Sequence, residues 1–127
     1  MSETQVGIQG VDFREQRRSS LVSPYAFTAA LGTSSTAIYT GNDTDGLLIR
    51  HFAVANTTGA ALNLTVTVAG SDYVTAKQVA ANDAVRLDAL TGLYVDPEDD
   101  VAGLGSAAGL RVYGWGLRVR GGSAWTL

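Results

Sequence analysis

LLIRHFAVANTTGAALNLTVTVAG, residues 47–70, decides the fold class of this chain. In its second half Leu62, Leu64, Val66 and Val68 alternate with Asn63, Thr65 and Thr67, the period of two that gives a strand one core face and one wet face. The first half, from Leu47 to Ala55, is apolar enough for a second strand. Between them Asn56-Thr57-Thr58-Gly59 offers turn-forming side chains and a glycine free to take positive φ, so the chain is expected to reverse there as a hairpin.

Short β-prone runs continue on both sides. Tyr25–Ala30 and Thr36–Tyr39 flank a Gly32–Ser35 turn, and the breaker Gly41–Gly46 leads into the central pair. Downstream, Tyr73–Val79 and Ala84–Leu90 around Ala81-Asn82-Asp83 predict a second hairpin. Gly92–Val95 predicts a short strand at a rim or edge, ended by Asp96-Pro97-Glu98-Asp99-Asp100, because proline cannot donate to a ladder. Val101–Leu104 predicts a brief pairing. Leu110–Arg120 is the last long strand, with Arg111, Tyr113, Trp115, Leu117 and Val119 on one face and Leu110, Val112, Gly114, Gly116, Arg118 and Arg120 on the other. The two glycines leave either a shallow groove or room for a bulky neighbour from a facing sheet, and a bulge near Trp115 is an equal reading. Trp115 itself reads as core or subunit interface.

Turn signals roughly every 8 to 12 residues, with no stretch suited to an amphipathic helix, predict an all-β, antiparallel two-sheet β-sandwich. A jelly roll is the preferred topology, with a simpler sandwich or a barrel as alternatives. The expected organisation is an extended N-terminal arm over residues 1–24 and a sandwich domain over 25–127. The arm is polar and lacks a sustained period, yet Val6, Ile8, Val11 and Phe13 are spaced apolar points and Arg14, Arg17 and Arg18 cluster beside them. Either it is a loose terminus, or these residues bind a neighbouring subunit and order there. Trp125, near the other end, reads as an anchor to a neighbour.

Composition narrows the function. The 127 residues are 46% hydrophobic but only 17% charged, below the roughly 25% of ordinary soluble domains, which suits a protein packed against other subunits. A net charge of −3 with one lysine gives no general attraction to a phosphate backbone, so no nucleic-acid role is expected. No apolar run reaches the roughly 18 residues of a membrane span, and the N-terminus shows neither the basic start nor the apolar core of a signal peptide; synthesis in the cytoplasm without classical export is expected. The absence of cysteine removes disulfides and thiol chemistry.

Catalytic motifs are missing. His51, the lone histidine, lies in a strand with no Gly-x-Ser-x-Gly elbow in the chain, so it reads as a hydrogen-bonded or interface residue. Gly103–Gly109 lacks both the spacing and the following helix of a dinucleotide loop. Asp96, Glu98, Asp99 and Asp100 offer oxygens to calcium but do not have the spacing of an EF-hand, and a solvated rim is the plainer reading. No enzyme activity and no cofactor are expected.

The segment from Ala37 to Leu104 resembles a small β-domain of tailed-phage virion proteins. The resemblance lies in Tyr39-Thr40, Leu47–Arg50, Val54–Gly59, Leu62–Val68, Ala81-Asn82-Asp83 before Val85-Arg86-Leu87, and Leu93–Asp96. Pro97-Glu98-Asp99 stands where such proteins usually have a glycine turn. What the resemblance implies is a non-enzymatic capsid decoration (cement) protein at the virion surface, a homo-oligomer expected as a trimer, binding the major capsid protein through the arm. The alternative is a neck, tail or fibre-associated module, with Tyr94, Tyr113 or Trp125 as glycan contacts.

Overall fold

The computed structural model describes residues Val22–Arg120. Its organising strand is the last one, β9 (Leu110–Arg120), flanked along its length by β1 (Val22–Leu31) and by β3 (Asp45–Asn56), both antiparallel. On the far side of β3, β6 (Ala84–Arg86) and β7 (Tyr94–Val95) pair with its two ends. The second sheet runs β2 (Thr36–Tyr39), β8 (Val101–Gly105), β4 (Leu62–Val68), β5 (Ser71–Val79).

Counting β6 and β7 as one interrupted strand, the pairs β1·β9, β2·β8, β3·β6/β7 and β4·β5 nest like one long hairpin folded over itself. Wrapping that hairpin so that β9 meets β3 and β8 meets β4 gives the two sheets of a jelly roll, as preferred from the sequence. Leu47, Ile49, Phe52, Val54 and Val112 from one sheet face Leu64, Val66, Val79 and Val101 from the other, all at most 1% exposed. Each contributes about 1.5–3 kcal/mol by leaving water.

Residues 47–70 are two strands, but not a hairpin. β3 and β4 lie in opposite sheets, and Thr57–Ala61 carries the chain between layers about 10 Å apart. The reason is Asn56, 2% exposed, whose side chain holds the crossing. Its Nδ2 donates to the carbonyls of Ala60 (2.7 Å) and of Val79 on β5 (3.0 Å), while its Oδ1 accepts from Thr58 N (2.9 Å) and Thr58 Oγ1 (2.7 Å). The turn chemistry was legible; its partners across the sandwich were not.

The expected second hairpin also separates, since β5 pairs with β4 and β6 with β3. The true tight hairpin is β4–β5, where Ala69 (φ 53°) and Gly70 (φ 82°) form a two-residue loop between Val68 and Ser71. Positive φ at both positions marks a type I′ turn, which favours Asn-Gly. Replacing Ala69 with asparagine should therefore raise stability by about 0.5–1 kcal/mol in urea titrations, because alanine is strained in the left-handed region and asparagine is not; a loss would refute this turn assignment.

Three smaller expectations also change. β1 begins at Val22, so the expected arm ends three residues earlier than Pro24, and β1 is an edge strand, the place in a sheet that tolerates a proline. Val101–Gly105 is a central strand between β2 and β4 rather than a brief pairing. Gly114 does make room for a bulky neighbour, but from its own sheet: Phe27, Gly114 and Phe52 form one row across β1, β9 and β3, and the two rings meet over the glycine with centroids 5.7 Å apart.

Candidate interaction surface

The outer face of the β1-β9-β3 sheet follows from alternation along β9. Val112 and Leu110 point into the core, so Arg111, Tyr113, Trp115, Leu117 and Val119 point away from it. Register extends this into rows. Pro24, Leu117, Leu48 and Tyr94 form one, Ala26, Trp115 and His51 the next, and Thr28, Tyr113, Ala53 and Arg86 the third. Tyr113 is 48% exposed and Trp115 45%, so Trp115 is not core.

A bulge sustains the face along β3. The register with β9 shifts between Ile49 and His51, making Arg50 the extra residue opposite the Gly116–Trp115 step. Before it odd positions are inward (Leu47, Ile49); after it even ones are (Phe52, Val54, Asn56). The chain opposite accommodates this: β6 and β7 are separated by an excursion whose backbone still bonds β3, Leu87 N to Phe52 O (2.8 Å) and Gly92 N to Ile49 O (2.7 Å). His51 is half-buried beside Trp115 on this face.

At the end where β9 finishes, Arg118 turns inward. Its guanidinium carbon lies 4.6 Å from the Tyr25 ring centroid and 6.0 Å from that of Tyr39, and the two rings meet edge-on at 5.5 Å. Among the described residues neither Tyr39 Oη nor Arg118 Nε has a hydrogen-bond partner. The cation is held there by the rings, an arrangement that desolvation strengthens. Tyr94 lies across Gly46, whose missing side chain it replaces. Burial, followed by the nearby Asp96, Tyr39 and Asp45, pushes its hydroxyl above the usual tyrosine range, so it stays protonated and neutral.

Charge is segregated between the two ends. The β2–β3, β4–β5 and β7–β8 connections and the strand ends beside them hold Asp43, Asp45, Asp72, Asp96, Glu98, Asp99 and Asp100; only Asp83 and Asp88 complete the carboxylates of the described residues. The rim is built by backbone: Glu98 N donates to Asn42 O (2.6 Å) and Gly41 N to Asp100 Oδ1 (2.9 Å). Among the described residues no three His, Asp or Glu side chains gather in the manner of a metal site. The connections at the other end, 32–35, 57–61, 80–83 and 106–109, carry one charge, Asp83. An open groove of about 350 Å³ lies between β5 and β6, lined by Tyr73, Lys77, Arg86, Leu87 and Asp88 among others.

The partner-binding residues expected from sequence, Val6, Ile8, Val11, Phe13, Arg14, Arg17, Arg18 and Trp125, lie outside the described residues. Sequence reasoning named Tyr94, Tyr113 and Trp115 as able to face outward but missed Leu48, Pro24 and Val22 as their neighbours. The signal was present. The switch of apolar parity across Arg50-His51 marks the bulge, and the uncharged run VSPYAFTAAL marks β1.

No protein-family model matches the chain, and no curated protein is similar to it in sequence. Similar solved structures include the nucleoplasmin-like N-terminal domain of Drosophila FKBP39 (16% identity, 82% of this chain and 97% of that one, TM-score 0.46) and the Drosophila NLP core (13%, 79% and 100%, 0.49). A Bacillus endospore appendage subunit is similar at 15% identity over 78% of this chain and 86% of that one, with a TM-score of 0.39. These likenesses are to β architecture and carry no functional argument.

Proposed function

We propose that this chain is a non-enzymatic structural protein of a tailed-phage particle, a capsid decoration protein that binds and stabilises the major coat lattice from the virion surface. The observation that carries the reading is the outer sheet face, where Trp115, Tyr113, Tyr94 and Val22 are each 41–48% exposed and Leu48, Leu117 and Val119 are half-buried in contact-ready rows. A face of this kind is what protein partners cover. The low charge fraction and the phage resemblance of residues 37–104 support the same reading. In it the protein is a trimer, assembled in the host cytoplasm, and the N-terminal arm, which ends where β1 begins at Val22, tethers it to the coat.

Quantitative mass spectrometry of purified particles tests this reading. A lattice protein is present in hundreds of copies, whereas about a dozen or fewer would overturn the decoration reading in favour of a neck, tail or fibre position. Removing residues 1–20 should leave the unfolding midpoint nearly unchanged and abolish particle attachment; retained attachment would show that the arm is not the tether.

A further inference from the structure

The outer sheet face and the acidic rim fit each other. Every outward position on β1, β9 and β3 lacks a carboxylate, and Arg50 and Arg111, both exposed, stand on either side of the Trp115–Tyr113 ridge. The rim carries seven of the described carboxylates, Asp43, Asp45, Asp72, Asp96, Glu98, Asp99 and Asp100, of which Asp45 already faces Arg120 at 3.9 Å and the others outnumber the cations there. We infer that the outer face of one copy is covered by the rim end of a second copy of this chain, aromatic ridge against loops, with Arg50 and Arg111 meeting the carboxylates of the β2–β3 and β7–β8 connections.

Three observations select a second copy, and this orientation. Five outward positions on each of three strands, at about 4.8 Å between strands and about 6.7 Å per two-residue repeat, span about 500 Å²; with Tyr94, Arg86 and the strand edge added, that approaches the roughly 800 Å² each partner gives to a stable complex. A two-fold contact of this face with itself would set Arg50 and Arg111 against β1, β9 and β3 positions that offer them no carboxylate, the one acid at its edge, Asp88, being already paired with Arg86 at 3.3 Å, which disfavours isologous pairing. The same chain, by contrast, presents the complementary charge on a different surface. Face to rim is a heterologous contact, which leaves one free face and one free rim on every pair, so copies add in one direction until the rotation between neighbours closes a ring, or run on as a filament where it does not. This deepens the subunit-packing reading above and rests on it only in taking the face to meet protein.

The isolated 127-residue chain supplies the test, away from any particle. Light scattering coupled to size exclusion, at about 100 µM and 50 mM salt, should show self-association beyond the monomer that weakens at 500 mM salt. Arg50→Glu/Arg111→Glu and, separately, Asp96→Arg/Glu98→Arg should each weaken self-association by at least about 30-fold, with circular dichroism confirming that both remain folded. The four substitutions combined set cations at 96 and 98 against the new carboxylates on the face, while Asp43, Asp45, Asp72, Asp99 and Asp100 stay in place, and should recover part of the lost association. A parent chain that is monomeric at low salt, a rim variant that associates like the parent, or a combined variant that stays apart would each overturn the inference. Particle copy number is independent of these results, so failure here leaves the decoration reading to its own test.

Discussion

Phe52→Ala is expected to cost about 3–5 kcal/mol of unfolding free energy, whereas Trp115→Ala, in the adjacent row but on the opposite face of the same sheet, should cost about 1 kcal/mol or less. The difference rests on which side of the sheet each ring occupies. Phe52 is fully buried, and its ring meets Phe27 over Gly114, where a side chain would collide with the Phe27 ring and approach His51 O at 2.5 Å. Truncating it opens a cavity between two sheets that are held apart by other side chains, and a glycine cannot reach into the space. Trp115 is 45% exposed and leaves only partly dehydrated neighbours behind. Urea titrations of both variants check this, with the stability taken from midpoint and slope. Equal losses would mean that Trp115 is a core residue and that the interaction face has been assigned to the wrong side.

Asn56 carries the second large effect. Asn56→Ala should lose about 3 kcal/mol, since it removes the side-chain bonds described above and strands the Val79 carbonyl inside the sandwich. Asn56→Asp separates polarity from packing, because it keeps the shape and the acceptor but turns both donated bonds into oxygen facing oxygen. A buried carboxyl between two carbonyls is favoured in its protonated form, so its folded pKa lies above the unfolded value of about 3.9. Its stability is then greatest below that value and falls as pH rises toward 7. Chemical denaturation at pH 4 and pH 7 should show the aspartate variant losing ground against the parent at the higher pH. A pH-independent difference would show that the amide donates nothing essential at this crossing.

The same residue shows why the strands were legible and their pairing was not. Leu62–Val68 and Leu110–Arg120 announce themselves because period two is a local property, set by pleat and by which side chains water rejects. Thr36–Tyr39 and Leu110–Arg120 have the extents expected from sequence. The chain reversal at Asn56–Gly59 is local in the same way. Whether the strand after a turn lies beside its predecessor or beneath it depends on what the turn's polar groups find, and Asn56 finds Val79, distant in sequence. The interaction face was half legible for a similar reason: Tyr113 and Trp115 share a parity with Arg111, but along β3 the bulge at Arg50 moves the outward positions from Leu48 to the odd residues His51 and Ala53.

The amino-acid sequence by itself determined that this chain is built of strands, where most of them begin and end, and that few charges cover it, because alternation, turn propensity and composition are written residue by residue. Only the tertiary structure decided that β3 and β4 part company across the sandwich, that Trp115 faces out while Phe52 faces in, and that carboxylates gather at one end away from Arg50 and Arg111. Those outcomes depend on hydrogen bonds, ring contacts and register between residues far apart in the chain, and such pairings exist only once the two sheets have closed on a common core.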